Sequence, residues 1–182
     1  MRIISGKYAK RNLYTLKSNS TRPTSDKVKE SVFNSLGQFF DGGRVLDLYA
    51  GSGALGIEAV SRGYDEAYLV DINSQACNII RKNVALTKEE QLFTVIRNSD
   101  FKALKIFENK NVKFDLVFLD PPYAKEKIVK VMETLLKYNL LNEKALVVAE
   151  TDEHTDLPEV QGFTLIKDHH LGRTKVKVYE RQ

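Results

Sequence analysis

A chain of 182 residues with 42% apolar side chains is long enough to fold as one domain around a sizeable core. It has a single cysteine, Cys77, which excludes an intrachain disulfide and a cysteine-based zinc cluster; no signal-peptide pattern or apolar run of about eighteen residues stands out, so a reducing cytoplasm and no membrane span are expected. The net charge of +4 is unevenly placed: residues 1–30 hold eight basic against two acidic side chains (+6), and the other 152 hold 20 against 22 (−2).

The basic excess comes first in the chain. Arg2 to Ser5 and Asn12 to Leu16 predict two short strands around Gly6 to Arg11, a basic hairpin. Lys17 to Thr21 is a polar connector. Arg22-Pro23-Thr24 starts a helix, with Thr24 or Ser25 as its cap and Asp26 in its first turn. Val28, Val32, Phe33 and Leu36 share one face of that helix, and Gly37 marks its end. Residues 1–40 are therefore expected to form an extension, and 41–182 the main domain. A segment with this charge reads as a contact for a phosphate backbone. Arg2, Lys7, Lys10, Arg11 and Arg22 are the expected contacts, with a merely solvated arm as the plain alternative.

From Arg44 onward strands and helices alternate. Strands are expected at 44–50, 67–72, 93–98, 114–120 and 145–150. Helices are expected at 54–62, 74–86, roughly 101–108 and 125–138. Such a series builds an α/β fold, a mostly parallel sheet with helices on both faces. Residues 151–161 are polar with a weak helical signal. Phe163 to His169 and Thr174 to Glu180 predict an antiparallel hairpin at the sheet edge, which brings the sheet to seven strands.

Two motifs carry chemistry. Gly51-Ser52-Gly53-Ala54-Leu55-Gly56 stands between a strand and a helix, the context in which glycines permit a tight turn and close approach of a ligand. Asp71 ends the next strand, where a carboxylate can take both hydroxyls of a ribose. Asp47, just before the loop, suits a cationic amino-acid moiety rather than a pyrophosphate. Asp100 follows the third strand and can accept from an adenine amine, with Phe101 or Ile72 lining the ring; alone it would read as a helix cap. The second motif, Asp120-Pro121-Pro122-Tyr123, ends the fourth strand. Its carboxylate and the Pro121 carbonyl can each accept one N–H of a planar amino group, and Tyr123 can stack on that group. Without the rest, it would read as a strand and a rigid turn. His169 and His170 face opposite ways in a strand and His154 is remote, so no metal centre is expected.

These residues resemble the bacterial 16S ribosomal RNA guanine-N2 methyltransferases of the RsmD type, a branch of the Rossmann-fold S-adenosylmethionine-dependent methyltransferases. The resemblance runs over nearly the whole chain, from Arg2-Ile3-Ile4-Ser5-Gly6 and Arg22-Pro23-Thr24-Ser25-Asp26 to Leu171-Gly172-Arg173-Thr174. A Tyr-Gly pair common in the family stands here as Leu171-Gly172. The resemblance implies donor contacts from Asp47, Tyr49, Ala50, Gly51, Ser52, Gly53 and Gly56, a ribose site at Asp71 and Ile72, and an adenine site at Asp100 and Phe101. It implies that Asp120, Pro121, Pro122 and Tyr123 are catalytic. S-adenosylmethionine would be the donor, S-adenosylhomocysteine the product, and ribosomal RNA, within a small-subunit particle, the partner of a monomer. The tetrapeptide itself would equally serve adenine N6 in DNA or RNA, or a protein glutamine. A non-enzymatic RNA-binding assembly factor would leave the glycine loop and tetrapeptide without a use, and a nicotinamide dehydrogenase would leave the tetrapeptide unexplained.

Overall fold

Residues 1–17, 26–122 and 124–182 are described by the computed structural model of the chain. Arg22, the expected cap at Thr24 or Ser25, and Tyr123 lie outside the described residues.

The apolar runs assemble into one seven-stranded sheet. Its strands are β1 (Arg44–Asp47), β2 (Glu66–Asp71), β3 (Phe93–Arg97), β4 (Phe114–Leu119), β5 (Leu141–Asp152), β6 (Phe163–Leu171) and β7 (Thr174–Arg181), in the order β3-β2-β1-β4-β5-β7-β6. The first five are parallel. β7 runs antiparallel between β5 and β6, so the C-terminal hairpin closes that side of the sheet. The helices are α1 (Asp26–Leu36), α2 (Ala54–Ser61), α3 (Ser74–Leu86), α4 (Asp100–Asn109) and α5 (Ala124–Lys137). β5 begins earlier than 145 because Leu141 pairs with Phe114 of β4, and ends later than 150 because β7 pairs with it out to Asp152. Residues 153–162 form turns and coil rather than a helix.

Alternation along the strands divides the core into two layers. Val45, Leu69, Leu116 and Phe118 face α2, α3 and the N-terminal arm. Leu46, Leu48, Val70, Val117 and Leu119 face α4 and α5. Phe114 to Leu119 reads as an almost unbroken apolar run because β4 is covered on both faces. On α5, Ile128, Val131, Met132 and Leu135 are buried, the spacing of a single helical face. Asn73 caps α3, its side chain accepting from the N–H groups of Gln75 (2.8 Å) and Ala76 (3.1 Å).

The N-terminal arm turns back as expected, but its limbs form no ladder of strands. One antiparallel bridge joins Arg2 and Asn12. The reason lies in where its backbone groups go. The N–H groups of Ile4 and Ser5 donate to the Glu58 carboxylate of α2 (3.0 and 3.1 Å). Those of Lys7 and Tyr8 go to the carbonyl and hydroxyl oxygens of Ser61 (2.8 and 3.0 Å). Ile3, Tyr8 and Leu13 are buried in the layer that holds Ile57 and Val60. Glu58 is fully buried and also pairs with Lys29 (3.2 Å) and Arg62 (2.8 Å). A buried carboxylate thus joins the arm, α1 and α2.

Candidate active site

A cavity of about 1050 Å³ opens at the carboxyl ends of the parallel strands. The sheet reverses its winding between β1 and β4, and ligands in such sheets bind at that switch. Of the residues singled out in the sequence, Asp47, Tyr49, Ala50, Gly51, Ser52, Asp71, Ile72, Asp100, Asp120, Pro121 and Pro122 line it. Gly53, Gly56 and Phe101 stand outside the lining.

The floor is the glycine loop. Gly51 and Gly53 both adopt left-handed backbone (φ 58° and 82°), which turns the chain sharply from β1 into α2. The Gly51 N–H donates to Asp71 Oδ2 (2.9 Å), tying the loop to the end of β2. Gly56 serves a different purpose: a Cβ there would lie 2.2 Å from Leu69 Cδ2, so glycine lets α2 approach the sheet without displacing that buried side chain. Its N–H donates to Asp47 Oδ2 (3.2 Å).

Each carboxylate has its own surroundings. Asp47 is 3% exposed. Burial pushes its carboxyl up to about 7, the Gly56 N–H opposes that, and the charges of Asp71 and Asp120 add to it. Asp71 accepts from Gly51 through Oδ2 and from Asn73 through Oδ1 (2.9 Å each), yet a carboxylate offers about four lone-pair sites. Beside it Ile72 is 68% exposed, an apolar side chain held at the cavity rim. Asp100 accepts from the Tyr49 hydroxyl (2.7 Å) and the Phe101 N–H (2.8 Å), and pairs with Lys127 (3.2 Å). Burial would raise its pKa, but these three partners outweigh it and hold the carboxyl below its usual range. Tyr49 is pushed upward in turn by burial and by the Asp100 charge. Phe101 packs under Lys127, whose ammonium lies 5.4 Å from its ring centroid. Asp120 is exposed at the end of β4, Pro121 is buried and Pro122 is exposed.

Further wall residues carried no signal read from the sequence. Met1, Thr15 and Leu16 bring the N-terminal arm to the cavity, and Glu150, Thr151 and Asp152 line it from the end of β5. The β5 residues were legible in principle, since they end a fifth parallel strand. Arg2 and Lys10 are exposed on the arm. Lys7 pairs with Glu89 (2.9 Å), and Arg11 donates to the Thr87 carbonyl (3.4 Å). Among the described residues no three His, Cys, Asp or Glu side chains are grouped so as to hold a metal ion. Among them, too, no helix is long and apolar enough to cross a membrane.

The chain has relatives among known proteins and solved structures. The ribosomal RNA small subunit methyltransferase D of Haemophilus influenzae is 34% identical over 181 residues, 99% of this chain and 93% of that one. The solved Escherichia coli structure titled "Putative methyltransferase yhhF" is 30% identical and superposes with a TM-score of 0.85, covering 100% of this chain and 98% of that one. An RNA methyltransferase of Salinibacter ruber, solved with S-adenosyl-L-homocysteine, shares the fold at 18% identity and a TM-score of 0.65, covering 88% and 94%. Residues 1–180 match the family model described as Conserved hypothetical protein 95. The chain belongs to that family, and the ribosomal RNA small subunit methyltransferase D proteins are among its relatives.

Proposed function

We propose that this protein transfers a methyl group from S-adenosylmethionine to the exocyclic N2 amine of a guanine in small-subunit ribosomal RNA. It leaves S-adenosylhomocysteine, needs no metal, and acts as a monomer on RNA within a small-subunit particle in the cytoplasm. The observation that carries this reading is the meeting of four strand-end carboxylates, Asp47, Asp71, Asp100 and Asp120, on one cavity with the Asp120-Pro121-Pro122 turn. The full-length kinship with ribosomal RNA small subunit methyltransferase D supports the substrate class.

The donor brings an electrophilic methyl group on a sulfonium, along with a ribose, an adenine and a cationic amino group. The residues present fit it. Asp47, buried and poised near neutrality, favours a cation beside it. Asp71 has lone pairs left for ribose hydroxyls, and Asp100 has one left for an adenine amine. Ile72 offers an apolar edge to the ring.

The acceptor side is the work of the turn after β4. The N2 amine of guanine is a poor nucleophile because its lone pair is delocalised into the ring. Asp120 and the Pro121 carbonyl each accept one of its N–H groups, which aims the lone pair at the methyl carbon. Tyr123 supplies the stacking face in this reading. In this reading the Asp120 carboxylate also takes the proton that leaves as the N–C bond forms. Positioning of this kind contributes up to about 7–11 kcal/mol in well-oriented reactions. Extracting the guanine from its stack costs a few kcal/mol, less if it is unpaired.

Asp120→Ala separates binding from chemistry. Calorimetry should show donor affinity within a few-fold of the parent protein, while methyl transfer to ribosomal RNA is largely lost. Near-normal turnover in that variant would remove the tetrapeptide from the mechanism.

A further inference from the structure

Next to the stretch of the N-terminal arm that lines the cavity stands an aromatic ring that the proposed reaction does not use. Tyr14 is 54% exposed, and the next two residues, Thr15 and Leu16, line the cavity. Packing gives no reason for a ring so exposed. Its backbone, however, is held at both polar groups by one side chain. The Tyr14 N–H donates to Asn83 Oδ1 (2.7 Å), and the Tyr14 carbonyl accepts from Asn83 Nδ2 (2.9 Å). Asn83 is fully buried on α3, and its Nδ2 also donates to the Ser52 carbonyl of the glycine loop (2.8 Å). The backbone that carries the ring is therefore held in register with the loop that forms the cavity floor. Lys82, the neighbour of Asn83 on α3, is exposed and places its ammonium 5.9 Å from the centre of the Tyr14 ring.

We propose that Tyr14 is a stacking platform for an unpaired RNA nucleotide next to the target guanine, and that Lys82 meets that nucleotide's phosphate. The inference rests on the reading of the protein as an RNA methyltransferase. A guanine taken from its stack leaves its neighbour with one face bare, and an exposed aromatic ring carried on backbone next to the cavity lining replaces the lost stacking. Stacking reads no base edge, so the platform tolerates any base and fixes position rather than sequence. A cation beside the ring suits a ligand that carries a phosphate on every base. An aliphatic surface would offer neither stacking nor charge.

Binding of 16S ribosomal RNA, free and within small-subunit particles lacking the modification, and of S-adenosylmethionine is measured for the parent protein, Tyr14→Ala, Tyr14→Phe and Lys82→Ala. Tyr14→Ala should weaken RNA binding roughly tenfold or more, the range seen when a base-stacking ring is removed. Tyr14→Phe keeps the ring and should stay within about twofold. Lys82→Ala should make the slope of log affinity against log salt shallower by about 0.7, the equivalent of one phosphate. Donor affinity should be unchanged in all three, which also shows that they fold. RNA affinity of Tyr14→Ala equal to the parent's would overturn the platform and leave the methyltransferase reading standing. Equal losses in Tyr14→Phe and Tyr14→Ala would assign the effect to the hydroxyl and overturn it too. A parent protein that binds donor but neither free 16S ribosomal RNA nor the particles would overturn both.

Discussion

Asp47 shows how much one carboxylate depends on its surroundings. It ends β1 beneath the glycine loop, where burial pushes its carboxyl from the ordinary 3.8 to about 7. The sign of the consequence is the reverse of that for a salt-bridged carboxylate. Between those two values the folded protein holds a proton that the unfolded chain releases, so this group's contribution to stability declines as pH rises through that window. A bound cation favours the charged form and reverses the preference. Donor binding at about pH 6.5 should therefore release part of a proton, and donor affinity should fall as pH drops below about 7. Calorimetry in buffers of different ionisation enthalpy measures that release. Asp47→Asn should abolish it; an unchanged proton release would place the titrating group elsewhere. The positions of Asp47, Asp71 and Asp120 were legible because each sits at or beside the end of an apolar run. The partners of Asp100 were not, since Tyr49 and Lys127 reach it from other strand and helix ends.

At the scale of elements, the buried pairings of Glu58 hold the arm and α1 to α2. Its carboxylate accepts from two arm N–H groups and faces two basic side chains, Lys29 and Arg62, with the Lys29 and Glu58 side chains fully buried. Burial lowers the Lys29 pKa, and the Glu58 charge works against that shift. Removing one member of such a group leaves the others buried without a counter-charge, which typically costs about 3–5 kcal/mol. Glu58→Ala should lower stability to chemical denaturant by roughly that amount, with the arm becoming sensitive to proteolysis. A loss below about 1 kcal/mol would show that water reaches Lys29 and Arg62. Strand and helix order was readable from periodicity and from the glycine loop. The docking of the arm on α2 was not, because α2 is buried along its whole length, and an apolar helix shows that it is covered without showing by which segment. Single-sequence patterning sees the face that meets the sheet and misses a cover supplied by distant residues.

For the whole molecule, the uneven charge has two uses. Lys7 and Arg11 place their cations 5.1 and 5.2 Å from the centre of the Tyr8 ring, and Lys7 also pairs with Glu89, so part of the basic excess secures the arm. Arg2 and Lys10 are exposed. Replacing Lys7, Lys10 and Arg11 together with Ala should weaken RNA binding and spare donor binding. The salt slope should become shallower by about 0.7–0.9 for each phosphate that the variant no longer neutralises. The same affinity and slope as the parent would make the arm a solvated surface.

Methyl transfer to guanine N2 is tested most directly on the product. Small-subunit particles lacking the modification are incubated with the protein and S-adenosylmethionine carrying an isotopically labelled methyl group. The 16S ribosomal RNA is then digested to nucleosides and analysed by mass spectrometry. Label should appear in N2-methylguanosine with the parent protein and be largely absent with Asp120→Ala. Label in N6-methyladenosine, or in ribosomal protein with none in RNA, would contradict transfer to guanine N2.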